Sequence, residues 1–268
     1  MKCLLREAFS ILTIMPVGSC HEGSPAGLSR SATLFPVVGA AIGLFSWVAY
    51  RGGSWLVSTW VAAAFAIVTE AVLTGAMHLD GLCDTFDGLG LRGSRTEVLA
   101  VMKDSRTGAM GAAALGLHLL TKWSLVASIP PPMALGALVA AGSVSRWCSV
   151  WCMYAYPYAR PEGGLGKPFS KTISLAGLLE ALVLCCGCLA VAAVIVAVAA
   201  AVVPAMIYPS LAGGSVVGVL CGMILGRLVA GKIGGMTGDV YGAVIEISSS
   251  GTLLGVAAVI KVLSSVVG

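Results

Sequence analysis

An all-α, polytopic membrane protein is the fold class this sequence predicts, and three observations predict it. Hydrophobic residues make up 58% of the chain and charged ones 10%, against about 25% charged in ordinary soluble domains. Mean hydropathy is +0.97. The apolar residues gather into stretches long enough to cross a hydrocarbon layer of ~30 Å as helices, separated by short polar loops that hold most of the lysines and arginines. No soluble segment, long linker or clear repeat interrupts them, so residues 1–268 read as a single membrane-embedded domain. The net charge of +4 is spread through the loops, which makes it a topology signal and argues against nucleic acid as a partner. The expected surroundings are a lipid bilayer, and a homo-oligomer is left open.

In chain order, Met1 to Val17 has an apolar stretch, Phe9 to Met15, too short to span; it predicts an interfacial amphipathic helix. Leu34 to Tyr50 is the first span, Arg51-Gly52-Gly53 a tight connection, and Trp55 to Met77 the second span. Glu70 near its end is either an intramembrane functional acid or a residue snorkelling to the interface. Residues 78 to 107 form the main polar excursion, Gly108 to Val126 the third span, Pro130-Pro131-Pro132 an outer turn and Met133 to Trp151 the fourth span. His118 and Lys122, at i and i+4 on the third span, read either as substrate contacts or, for Lys122, as a residue snorkelling at the outer interface. Residues 152 to 172 return to the polar side with Arg160, Lys167 and Lys171. Ile173 to Tyr208 is taken as one long, tilted or broken crossing, because charge parity demands an odd number there. Gly213 to Val229 and Ile247 to Val267 complete about seven spans. Cys148, Cys152, Cys185, Cys186, Cys188 and Cys221 lie in apolar segments without metal-site spacing and read as packing residues. Trp151, Tyr154, Tyr156 and Phe169 read either as rim contacts of a broad interfacial cleft or, the reading favoured, as interfacial belt aromatics.

The stretch that demands a chemical explanation is His78-Leu79-Asp80-Gly81-Leu82-Cys83-Asp84-Thr85-Phe86-Asp87-Gly88, which crowds three aspartates into a chain with 12 acidic residues. If it is helical, the spacing i, i+4, i+7 puts the three carboxylates within an arc of roughly 60°. Like charges that close need protons or a cation. Asp80, Asp84 and Asp87 are therefore candidate ligands of a hard divalent ion, Mg²⁺, which takes oxygen ligands and couples to substrate phosphates. Two further polar motifs fall on the same side. Met102-Lys103-Asp104-Ser105-Arg106-Thr107-Gly108 offers two cations and a carboxylate at a helix start, where amides and the dipole favour phosphate. Gly231-Lys232-Ile233-Gly234-Gly235-Met236-Thr237-Gly238-Asp239 offers glycines for a backbone nest, with Lys232, Thr237 and Asp239 beside it. Lys and Arg in these loops predict a cytoplasmic site.

Taken together and in order, His78-x-Asp80-Gly81-x-x-Asp84-x-x-Asp87-Gly88, Met102-Lys103-Asp104-Ser105-Arg106-x-Gly108 and Gly234-Gly235-x-Thr237-Gly238-Asp239-x-x-Gly242-Ala243 closely resemble the cobalamin synthase family, the adenosylcobinamide-GDP ribazoletransferases of bacterial inner membranes. The likeness extends to Phe35-Pro36-Val37-Val38-Gly39 at the first span and to Arg146 in the fourth, and weakens over residues 184 to 212. The resemblance implies a Mg²⁺-dependent transfer in which a ribose hydroxyl of α-ribazole, or of its 5′-phosphate, attacks adenosylcobinamide-GDP and releases GMP. It implies catalytic roles for Asp84, Asp87, Asp104 and Asp239, and substrate binding by His78, Lys103, Arg106, Arg146, Lys232 and Thr237. A fainter resemblance to CDP-alcohol phosphotransferases breaks at Cys83-Asp84, where those enzymes carry Ala-Arg. An ion-coupled transporter using Glu70 and the aspartates is the alternative from another class.

Overall fold

The computed structural model describes residues 2–18, 25–160, 162–164, 166–170, 172–199 and 204–267. They form eleven α-helices with no strand among them: α1 (Lys2–Leu12), α2 (Pro25–Ala32), α3 (Phe35–Leu56), α4 (Thr59–Thr74), α5 (Met77–Gly90), α6 (Arg95–Val101), α7 (Ala109–Ser128), α8 (Ala134–Ala155), α9 (Leu175–Ala199), α10 (Pro204–Ile233) and α11 (Gly238–Val267). Six of them, α3, α7, α8, α9, α10 and α11, are long and apolar enough to cross a membrane, and the bent pair α4–α5 passes the same test only when its two helices are taken together as one broken span. The large apolar side chains left exposed, such as Val72, Leu117, Leu120, Val183, Leu220 and Leu228, lie on these helices, as a lipid-facing surface requires. Lys171 and residues 200–203 lie outside the described residues.

Helix α8 is the axis of the bundle, with nearly every side chain buried. It tolerates that enclosure because its core-facing positions are small. Gly39 on α3 and Gly142 on α8 meet backbone to backbone, so a methyl group at either would collide with the other's carbonyl. Helices in lipid associate through such small-residue contacts, because no hydrophobic drive separates a tail from a leucine. Helices α10 and α11 pack the same way, with Gly214, Gly218 and Gly222 on α10 set against Ser248, Thr252 and Val256 on α11.

Several boundaries differ from expectation. Arg51-Gly52-Gly53 is not a connection. Helix α3 runs through it to Leu56, because Gly53 sits against Ala62 of α4 and unpaired backbone is costly at membrane depth. The turn comes at Ser58, whose side chain accepts from the Val61 amide and starts α4. Between 173 and 208 the chain crosses once, as α9, and α10 is the return. The last span begins at Gly238 rather than Ile247, so the third motif opens the final helix directly.

Helix α4 ends at Gly75 and Ala76, both left-handed (φ +59° and 58°), and the chain bends by 89° into α5. The left-handed region costs a residue with a Cβ roughly 1–2 kcal/mol, so the bend at Ala76 is held by its surroundings. One holder is visible: the Ile14 amide, trailing from α1, donates to the Leu73 carbonyl at 2.9 Å. The bend sends the aspartate stretch across to α7 and α11.

Candidate active site

The predicted helix forms as α5, and its aspartates divide: Asp80 and Asp84 stay together, while Asp87 turns to α7. Asp84 faces α11 and feels the charges of Asp239 and Asp80, opposed by Arg160. The approach is close because residue 81 is glycine: a Cβ there would stand 2.6 Å from the Asp239 carbonyl oxygen. Asp80 and Asp84 have no hydrogen-bond or ion-pair partner among the described residues. Asp87 is engaged differently. Its two oxygens accept from the Gly108 and Gly111 amides, each at 2.7 Å, and so cap the start of α7. Gly108 and Gly111 leave the space for it, since a Cβ at either would strike the carboxylate.

The third motif is fixed by backbone pairing. Tyr158 and Met236 form an isolated parallel bridge, in which the Ala159 amide donates to the Met236 carbonyl and the Met236 amide to the Pro157 carbonyl, both at 2.8 Å. Gly235 must be glycine here because a side chain would strike the Pro157 carbonyl. The bridge delivers Arg160 to Asp239: its guanidinium donates to Asp239 Oδ2 at 2.7 Å and to the Met102 carbonyl at 3.2 Å. Thr237 donates to Asp239 at 3.2 Å and accepts from the Val240 amide, capping α11. Arg95 on α6 donates to the Ala159 carbonyl at 2.8 Å and lies against Gly234. Three loops far apart in sequence thus close around one patch where Asp80 and Asp84 meet Asp239 and Arg160, with Arg95 holding the Ala159 carbonyl beside it. Burial holds the Tyr158 phenol in this patch above its ordinary range, partly offset by the Arg160 charge.

A family model described as cobalamin-5-phosphate synthase matches residues 4–257. The chain belongs to the cobalamin-5-phosphate synthase family. Relatives bear that out along most of their length. A protein of Bradyrhizobium diazoefficiens is 37% identical over 185 residues, covering 67% of this chain and 71% of its own. One of Syntrophobacter fumaroxidans is 40% identical over 186 residues, covering 65% and 71%. One of Desulforamulus reducens is 36% identical over 186 residues, covering 69% and 74%. All three are named adenosylcobinamide-GDP ribazoletransferase. No solved structure matches.

Against this synthase family, the structure sorts the residues singled out from sequence. Asp80, Asp84, Asp239 and Thr237 converge. Asp104 and Arg106 stand at the edge, paired with each other: Arg106 Nη2 lies 2.6 Å from Asp104 Oδ2, and the side chain is 87% exposed. That guanidinium holds the Asp104 carboxyl down to about 2. Lys103 is exposed on the same turn. The turn is not the helical start expected, because α7 begins at Ala109, so Lys103 and Arg106 do not line up on one helix face. Lys232 donates to the Leu89 and Leu91 carbonyls at 2.7 and 2.8 Å and ties down the C-terminal end of α5. His78 is 4% exposed with its Nε2 unpartnered, behind the aspartates against Gly242.

Arg146 lies deeper, fully buried, in a network between helices. It donates to Glu70 at 3.3 Å; Lys122 reaches both Glu70 and Glu246 at 2.8 Å; His118 meets Glu246 at 2.9 Å. This answers both questions left by the sequence: Glu70 is paired in the interior, and Lys122, 3% exposed, does not snorkel. Residue 246 follows 239 by seven, so the network sits two turns along α11 from the site. Arg160 was missed as a site residue because its partner is 79 positions away, and Glu246 because its partners His118 and Lys122 are more than a hundred positions earlier in the chain.

Proposed function

We propose that this chain is a membrane-embedded adenosylcobinamide-GDP ribazoletransferase, the activity named for its relatives. The observation that carries the reading is the convergence of Asp80 and Asp84 on α5 with Asp239 on α11, where Arg160 pairs with Asp239. A ribose hydroxyl of α-ribazole, or of its 5′-phosphate, attacks the cobinamide-linked phosphorus of adenosylcobinamide-GDP. The P–O bond to GMP breaks, GMP leaves, and the phosphodiester of the nucleotide loop is formed.

The donor set suits Mg²⁺. Among the described residues Asp80 and Asp84 have no partner, and they face Asp239, to which Arg160 is bonded. No three His, Cys, Asp or Glu side chains close into a cage among the described residues. An open set fits an ion that keeps several waters and binds through one or two carboxylates plus substrate phosphates. Asp80, Asp84 and Asp239 would hold it, in preference to Asp87, whose oxygens already accept two amides. Held there, Mg²⁺ would supply Lewis-acid screening of the pyrophosphate charge.

The chain's own groups do the rest. Arg160, anchored through Nη2 with its Nε buried, leaves Nη1 for phosphate oxygens. Lys103 and Arg106 add positive potential at the rim, where they raise the encounter rate with an anionic substrate. Asp104, held at about 2, is a poor proton acceptor at neutral pH, and Asp87 is committed to α7. The hydroxyl proton therefore passes to Asp84 or Asp239. Arg92, Arg95, Lys103, Arg106, Arg160 and Lys232 all stand at this end of the bundle, which supports a cytoplasmic site in the inner membrane by the positive-inside rule. The test is nucleotide release by purified protein: GMP that appears only with α-ribazole and Mg²⁺ supports the reading, and CMP release from a CDP-alcohol overturns it.

A further inference from the structure

We propose that the interior of the bundle binds a single water molecule at mid-membrane depth, bridging Ser46 of α3, Glu70 of α4, Lys122 of α7 and Ser249 of α11. These four side chains line a cavity of about 10 Å³ that shares no residue with the aspartate site and is closed by apolar groups including Ile42 and Leu253. That is the room roughly one water needs, provided it meets about two to four polar partners. Ser46 follows the start of α3 by eleven residues, roughly 16 Å along the helix axis, which is the middle of a hydrocarbon layer of ~30 Å.

The site is built from buried groups with bonds to spare. The Ser46 hydroxyl is buried and has no hydrogen-bond partner among the described residues. Other core hydroxyls behave differently. Ser145, Ser149 and Thr252 each turn back onto a carbonyl of their own helix, at 3.0, 2.7 and 2.9 Å, as a hydroxyl does where nothing else is in reach. Ser249, 1% exposed, makes no hydrogen bond among the described residues either. Lys122 gives two of its N–H groups to Glu70 and Glu246, each at 2.8 Å. An ammonium has a third N–H, and among the described residues no acceptor takes it. A buried donor left unpaired is costly.

The charges around the cavity choose the occupant. The Lys122 ammonium repels a cation and the Glu70 carboxylate an anion. Lys122 and Arg146 already balance Glu70 and Glu246, so a bound ion would add an unpaired charge where water cannot screen it. Water brings donors and acceptors without charge. It would accept from the Lys122 ammonium and the Ser46 hydroxyl and donate to the Glu70 carboxylate and the Ser249 oxygen. Helix α3, which otherwise meets the bundle through glycine contacts, is thereby tied to the ionic network.

X-ray radiolytic footprinting of the full chain in lipid nanodiscs tests this, because hydroxyl radicals formed from a bound water oxidise the side chains beside it. Ile42 and Leu253 are 2% and 0% exposed, and Ile207, also 0% exposed, is the reference because it does not line the cavity. In wild type, Ile42 and Leu253 should be oxidised roughly fivefold faster than Ile207, as side chains touching an ordered water. Ser46→Val fills the cavity and removes its hydroxyl, and should bring both down to the Ile207 rate. Ser249→Val should do the same and serves where Ser46→Val does not fold. Ser46→Ala keeps the room and loses one bond, so oxidation should persist while Tm falls by about 3 °C. Wild-type oxidation of Ile42 and Leu253 at the Ile207 rate, or undiminished oxidation in a folded valine variant, would overturn the proposal.

Discussion

Lys122→Met removes the centre of the buried ionic network and leaves its neighbours in place. In the native chain Lys122 and Arg146 balance Glu70 and Glu246, with contacts of 2.8, 2.8 and 3.3 Å. At an effective dielectric of 20, each 2.8 Å contact carries roughly 6 kcal/mol of attraction, most of it spent on desolvating the charges. Methionine fills a similar volume but strands one negative charge among α4, α7 and α11. Breaking a buried pair from one side costs about 3–5 kcal/mol. For a chain of this size that is a fall in Tm of roughly 10 °C. Tryptophan fluorescence during thermal unfolding in detergent measures it. The double variant Lys122→Met/Glu246→Gln, which restores neutrality, should recover a large part of the loss. A single variant that melts with wild type, or a double variant that falls by the sum of both singles, would refute the network's role in joining these helices.

Asp84→Asn should reduce turnover at least a thousandfold with the melting curve unchanged, because Asp84 has no partner in the resting fold; wild-type turnover at saturating Mg²⁺ would sink its assignment. Asp87→Asn should behave in the opposite way, costing about 1 kcal/mol of stability through the α7 cap and less activity than Asp84→Asn, and steady-state rates read beside melting curves distinguish the two. Arg160→Ala should lower kcat through loss of the Asp239 contact, whereas Arg106→Ala, at an exposed pair, should leave Tm unchanged and act on KM for the GDP-activated corrinoid alone. Because the Asp104 carboxyl is held down to about 2, its ion pair is lost only as pH falls through that value; a rate profile between pH 5 and 8 should be the same in wild type and Asp104→Asn.

What the sequence made legible is what local spacing encodes. The aspartate helix and its shared face follow from the i, i+4, i+7 pattern, and the number of spans follows from apolar length and loop charge. What stayed hidden depends on residues far apart in the chain. The spacing that makes Asp87 look like a ligand is the same as that of Asp84. Only the start of α7, 21 positions on, diverts it into a cap. Lys232 reads as a phosphate cation until the end of α5, more than a hundred residues earlier, supplies carbonyls for it. Arg51-Gly52-Gly53 reads as a turn by the rules of water, where glycine breaks helices. In lipid the backbone bonds are kept and the glycine becomes a packing surface.

Nucleotide release tests the central claim most directly. Purified chain in detergent, supplied with adenosylcobinamide-GDP, α-ribazole and Mg²⁺, should release one GMP for each corrinoid that gains a nucleotide loop, and Asp84→Asn should release none. GMP formed without α-ribazole, or joined corrinoid formed equally well by Asp84→Asn, would contradict it.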